Sequence, residues 1–174
     1  MKRLLLLLVL AFYCVGASAQ DSRMSDATPS LMEQKSYVNA LKTAEQTNRS
    51  TYSRAENVEN LLYKLQSSIY YYSGVVKTYG EKPKCLFTDV RSLNALKNAD
   101  MLKNNIEIVT IKIDTPSDLN LPIDMAVFSS FKNLKYIKIL SYVNATEQNI
   151  KTMIRNSNDR YSVFYKIDQG ENSK

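Results

Sequence analysis

The chain has 174 residues, with 23 Lys+Arg against 17 Asp+Glu, two Cys, no Trp and no His, and a formal net charge of +6. Its 44% hydrophobic and 23% charged residues fall in the globular range, with room for one modest domain. The missing histidines exclude a Ser-His-Asp or Cys-His catalytic unit, an imidazole base near neutral pH and a histidine-ligated metal.

Residues 1–19 read as a cleaved secretory signal: Met1-Lys2-Arg3 is positive, Leu4 to Gly16 is apolar, and Ala17-Ser18-Ala19 offers the small residues a signal peptidase accepts. A membrane anchor would need about 20 apolar residues, and Gln20-Asp21-Ser22-Arg23 ends the run before that. Cys14 would suit a lipoprotein only behind a small residue, and Tyr13 is large. Cleavage leaves 155 residues, removes Lys2 and Arg3, and lowers the net charge to +4. The expected destination is secreted or periplasmic, with no membrane span after cleavage. Cys85 is then the lone thiol, so no internal disulfide forms and the apolar core must hold the domain together. Between Lys84 and Leu86-Phe87 it reads as a buried small hydrophobe; a reactive thiol or an intermolecular bridge is the alternative.

Residues 20–29 are rich in Ser, Asp and Thr and read as a mobile leader, as do 169–174 as a flexible tail. A helical hairpin is expected over 30–83. Ser30-x-x-Glu33 fits a capping box ahead of Leu31, Val38, Leu41 and Ala44, giving a helix that ends near Asn48. Ser53-x-x-Glu56 fits a second box, ahead of Val58, Leu61, Leu62, Leu65, Ile69, Tyr72 and Val76, a stripe that predicts a helix to about Ser73 before Gly74. Tyr70-Tyr71-Tyr72 near its end cannot share one helical face, so at least one ring is expected in solvent, as a partner or sugar anchor or as an amphipathic core edge.

From Lys84 the periodicity changes. Thr110-Ile111-Lys112-Ile113, Tyr136-Ile137-Lys138-Ile139 and Phe164-Tyr165-Lys166-Ile167 repeat one strand phrase at spacings of 26 and 28, and a further step of 26 back from Ile113 lands on Phe87. Connections of this length with helical patterning favour parallel pairing by right-handed crossover. The expected fold is α/β: the helical hairpin, then three or four parallel strands with helical crossovers. Phe87, Ile108, Ile111, Ile113, Leu134, Ile137, Ile139, Val163, Tyr165 and Ile167 are the expected core, and the hairpin covers the first strand edge or an apolar end.

In the middle unit, Phe128-x-x-Phe131-x-x-Leu134-x-x-Ile137-x-Ile139 steps by three and then by two, a helical or 3₁₀ approach feeding a strand. Leu93, Leu96, Ala99 and Leu102 step similarly before Ile108. The final connection has Thr146 as an N-cap ahead of Ile150, Met153 and Ile154. Over residues 84–168 this pattern resembles a short, divergent leucine-rich-repeat stack, with Asn144 an approximate match to that family's turn asparagine. An ordinary α/β layer with evenly spaced strands gives the same periods. The resemblance implies an open strand face as the ligand face.

If Ile111 and Ile113 point inward, alternation sends Thr110, Lys112, Tyr136, Lys138, Phe164 and Lys166 to the opposite side. Strands about 4.8 Å apart would then align Lys112, Lys138 and Lys166 in a column beside Thr110, Tyr136 and Phe164, which either tolerates a modest repulsion or meets Asp114 and Asp168 nearby. Such a face suits an acidic protein or glycan; lysines that merely solubilise a sheet give the same pattern. Residues 132–166 hold seven Lys/Arg against Glu147 and Asp159, but no nucleic-acid motif accompanies them and the export signal argues against that partner.

Asp114, Asp118, Asn120 and Asp124 have calcium-like spacing but lack the glycine and distal glutamate of an EF-hand, and Pro116 and Pro122 suit a plain loop. Asn48-Arg49-Ser50 and Asn144-Ala145-Thr146 are glycosylation sequons. No carboxylate pair stands out for glycoside chemistry, and four glycines form no phosphate loop. The expectation is thus an exported, non-catalytic interaction module with no cofactor, no metal and no nucleic-acid partner. A histidine-free glycan hydrolase and a structural envelope protein without a discrete ligand are the alternatives.

Overall fold

Short runs of Ile, Val, Tyr and Phe separated by about twenty mixed residues leave strand formation as the way to bury their branched and aromatic side chains, with each connection long enough to cross over the sheet. A computed structural model describes residues 31–47 and 53–168. Among these, the chain forms a mixed α/β structure with four helices and a seven-stranded sheet ordered β1-β9-β7-β5-β4-β2-β3. The strands are β1 Met32–Glu33, β2 Ser68–Tyr72, β3 Val75–Tyr79, β4 Cys85–Asp89, β5 Ile108–Ile113, β7 Tyr136–Ser141 and β9 Ser162–Ile167. All neighbours are parallel except β2 and β3. A second, two-stranded sheet pairs β6, Ile123–Asp124, with β8, Ile154–Arg155. The signal segment with Cys14, the leader with Ser30, the Asn48 sequon and the 169–174 tail lie outside the described residues.

The first sheet face carries the main core. Val109, Ile111, Ile113, Ile137 and Ile139 are completely buried there, with Val163 and Tyr165 beside them. The connections close over them. Between β4 and β5 runs α3, Leu93–Leu96, whose two leucines point inward, while Leu102 of the expected series is 61% exposed. Between β5 and β7 lie 3₁₀ turns at Pro116–Asn120 and Met125–Phe128. Phe128, Phe131 and Leu134 step into the core as their spacing predicts, with the first two rings edge to face at 5.6 Å. Between β7 and β9, α4, Glu147–Met153, starts at a capping box in which Thr146 Oγ1 accepts from the Asn149 amide, and it buries Ile150 and Met153.

The amino-terminal half differs from expectation. Met32 and Glu33 form strand β1 on β9 rather than the first turn of a helix, and α1 spans Gln34–Thr47. Helix α2, Arg54–Tyr63, has its predicted N-cap, Ser53 accepting from the Glu56 amide, but ends ten residues before Ser73. The stripe from Ile69 onward is not helical. Ser73 and Gly74, at φ 51° and 82°, make a two-residue turn, and the flanking Ser-Ile-Tyr-Tyr-Tyr and Val-Val-Lys-Thr-Tyr runs pair as a hairpin. Gly74 therefore turns a hairpin instead of stopping a helix. Tyr71 enters the main core, and alternation sends Tyr70 and Tyr72 to the second face.

The register also differs from the repeated phrases. Ile111 sits opposite Ile139 and Ile139 opposite Tyr165, so β7 is displaced by two residues from the expected alignment. An even displacement preserves the faces: Ser141 takes the buried level between Ile113 and Ile167, where its hydroxyl donates to the Val143 carbonyl. From β4 to β5 the step is 23 residues, Cys85 opposite Ile108, instead of 26. That odd difference flips the side, so Phe87 lies on the second face, half-buried, and Leu86 takes the core position.

Candidate functional site

The second face presents three cross-strand rows. The register places Ser68, Cys85, Ile108, Tyr136 and Ser162 in the first, and Tyr70, Phe87, Thr110, Lys138 and Phe164 in the second. Asp89, Lys112, Leu140 and Lys166 form the third, toward the carboxyl ends of the strands.

Helices α1 and α2 cover the first row and one end of the second. Val38, Val58 and Leu61 pack with Cys85, Ile108, Tyr136 and Phe164 into a second core. Tyr37 stacks on Phe164 at 4.8 Å and meets Tyr136 edge-on at 6.5 Å. The two helices are joined by Lys42 and Glu59 at 2.7 Å and by Gln34 Nε2 donating to Tyr63 Oη at 2.9 Å. Three of the six residues expected on an open ladder are therefore buried: Thr110 at 6%, Tyr136 at 2% and Phe164 at 0% exposure. Thr110 sits in its row between Phe87 and Lys138. Tyr136 and Phe164 lie under α1, because an aromatic on an otherwise uncovered face draws the amphipathic helix pair onto it.

Lys112, Lys138 and Lys166 remain partly exposed on this face but do not form a column. The shift of β7 sets Lys138 level with Thr110 and Phe164, whereas Lys112 and Lys166 flank Leu140 one level on. The result is a triangle instead of a straight row. Lys112 Nζ lies between two rings, 5.6 Å from Tyr72 and 5.8 Å from Tyr142. Lys166 pairs with Asp168 at 2.7 Å, one of the two outcomes expected from the sequence. The Lys138 ammonium has no hydrogen bond or ion pair among the described residues. Burial, and then the Lys166 charge, hold its ammonium below the ordinary lysine range, with Asp168 acting in the opposite sense. Burial, reinforced by Asp89 and Asp114, pushes the Tyr72 phenol up to about 12, and its hydroxyl has no partner among the described residues.

Beside the triangle, between the end of α2 and the β3-β2-β4 corner, lies a groove of about 660 Å³ that sequence reasoning missed. Its floor is Tyr70 stacked on Phe87 at 4.9 Å, with Tyr79 edge-on to Tyr70 at 5.5 Å. Leu61 and the fully exposed Leu65 stand on the helix side, and Lys64 and Lys77 supply charge; among the described residues no Asp or Glu lines it. The hairpin turn at Ser73-Gly74 was the signal that would have located it, since a strand reading of 68–79 sets Tyr70, Tyr72, Lys77 and Tyr79 on one side.

The remaining candidates have structural employment. Asp118 accepts the Arg91 guanidinium on Oδ1 at 2.7 Å and the Asp114 and Thr115 amides on Oδ2; Asp124 accepts from the Ala126 amide and Asn156. These contacts occupy both Asp118 oxygens and Asp124 Oδ1, and among the described residues no His/Cys/Asp/Glu group is arranged to hold a metal. Arg160 spends its guanidinium on the Ser129, Phe131 and Lys132 carbonyls, and Lys135 pairs with Glu107, so these two of the seven cations of 132–166 have intramolecular partners. Cys85 is buried against the Leu61 carbonyl, 3.8 Å from Sγ, and burial pushes its thiol up to about 11. It is the packed small hydrophobe its neighbours suggested.

Among the described residues no helix is long and apolar enough to cross a membrane. Comparison with family models, with curated proteins and with solved structures gives no match.

Proposed function

We propose that this chain is an exported, non-catalytic interaction module that binds an acidic protein or glycan partner through the part of the second sheet face left open by α1 and α2. One observation carries the reading: the Lys138 ammonium is held half-buried without a hydrogen bond or ion pair among the described residues, next to Lys166, where burial and repulsion both oppose its charge. A lysine kept there at a cost to the free protein fits a surface completed by an anionic partner. Lys112 and Lys166 lie one level away, and the Tyr70, Tyr72 and Phe87 rings extend the surface toward the groove.

The same proposal takes β4, β5, β7 and β9 as a short, divergent leucine-rich-repeat-like stack. In support stand the parallel steps of 23, 28 and 26 residues between paired positions and the buried Phe128, Phe131 and Leu134 approach. Helices on the strand face are its departure from the open surface the resemblance implies.

The test is a pull-down from cell-envelope and extracellular fractions with the wild type and with Lys112→Ser/Lys138→Ser/Lys166→Ser. Loss of a salt-sensitive partner from the triple variant, with its circular dichroism unchanged, is the expected result. Equal recovery of every partner would remove the lysine triangle from the site.

A further inference from the structure

We infer that the partner is a polypeptide that docks as an extended, acidic strand on the free edge of β3, laying alternate side chains into the adjoining groove; this rests on the interaction reading above. The two edges of the large sheet are unlike. At one end β1 has two residues and runs straight into α1, which blunts that edge. At the other, β3 presents five residues, pairs among the described residues only with β2, and leaves Val75 55% and Tyr79 59% exposed.

The hairpin geometry states which backbone groups are free. In a two-residue turn with both φ values positive, the flanking Tyr72 and Val75 form a hydrogen-bonded pair. Alternation then directs the amides and carbonyls of Val75, Lys77 and Tyr79 toward β2 and those of Val76 and Thr78 outward, into open solvent. The side chains alternate in the complementary sense, so Lys77 and Tyr79 line the groove.

An added strand would lie about 4.8 Å beyond β3, with every second side chain over this groove. Lys64 and Lys77, with no lining carboxylate among the described residues, select an acidic residue beside Lys77, and the Tyr70, Phe87 and Tyr79 rings select an apolar neighbour two positions along. Backbone pairing distinguishes the two partner classes, because a glycan has no peptide ladder to match the Val76 and Thr78 groups.

The experiment selects binders of the purified protein from a random-peptide phage library, with heparin as the acidic-glycan probe, and follows amide exchange by NMR. Enriched peptides should carry an Asp or Glu two positions from an apolar residue and slow exchange of the Val76 and Thr78 amides by about tenfold or more. Lys77→Glu should weaken them by about fivefold, and N-methylation of the peptide amides that face β3 should abolish binding. Should Lys77→Glu disturb folding, the N-methylated peptides test the same pairing on the wild type. Peptides that bind without protecting Val76 and Thr78 would overturn the inference. So would heparin binding that needs Lys112, Lys138 and Lys166 while no peptide is enriched, although the interaction reading would then stand. Binding of neither probe would remove both.

Discussion

Thr88 points into the main core at 0% exposure, and its hydroxyl has no hydrogen-bond partner among the described residues. Threonine and valine have nearly the same shape, and a buried unpartnered hydroxyl carries a desolvation cost, so Thr88→Val should stabilise the protein by about 1 kcal/mol. Urea unfolding with an unchanged m-value would measure it. Asp118 is the opposite case. Burial pushes its pKa up, but the Thr115 and Asp114 amides and the Arg91 guanidinium outweigh this and hold the carboxyl below the usual range. A depressed folded pKa means that this stabilisation is complete above the unfolded value of about 4 and is lost as pH falls through the folded one. Asp118→Asn should therefore cost about 1 to 3 kcal/mol at pH 7 and flatten the acid limb of the stability profile below pH ~4. A profile that keeps its slope would show that other carboxylates govern acid unfolding.

At the scale of elements, Tyr37 fixes α1 to the sheet through its stack on Phe164. Tyr37→Ala should cost about 2 to 4 kcal/mol and raise amide exchange along α1 before the strands open. Tyr37→Phe keeps the stack and removes a buried hydroxyl that lacks a partner among the described residues, so it should be neutral or stabilising. The elements also separate what sequence alone discloses from what it hides. The crossovers were legible because Phe128, Phe131 and Leu134 need only local periodicity to point inward, and the parallel order followed from connection length. The β2-β3 hairpin was not, because Ile69, Tyr72 and Val76 keep a helical spacing even though their branched and aromatic types and the Ser73-Gly74 turn suit strands. Register was hidden for a different reason: repeated Ile-Lys-Ile phrases suggest an alignment, but strand packing can slip by two residues without moving any side chain to the other face. The slip turned an expected lysine column into a triangle, and the odd step between β4 and β5 exchanged Phe87 for Leu86 in the core.

For the whole molecule, the sheet separates two jobs. Its first face is sealed by the crossovers, whereas the second is sealed over its amino-terminal rows by α1 and α2 and left partly open over the rest. On the proposed reading, function and stability compete at Lys138. Lys138→Met removes a charge disfavoured by burial and by Lys166, so it should stabilise the free protein by about 0.5 to 1 kcal/mol while weakening binding of an anionic partner. A variant that loses both stability and binding would identify Lys138 as a structural residue.

The central claim, that the open part of the second face takes an acidic partner, is tested most directly by an NMR titration of the isotope-labelled protein with poly-L-glutamate at low and high salt. Shifts that cluster on Lys77, Lys112, Lys138, Lys166 and the Tyr70 and Phe87 backbone, and that fade as salt is added, are the predicted result. Shifts gathered instead on α3, α4 and the two-stranded sheet would contradict it, as would no response at low salt.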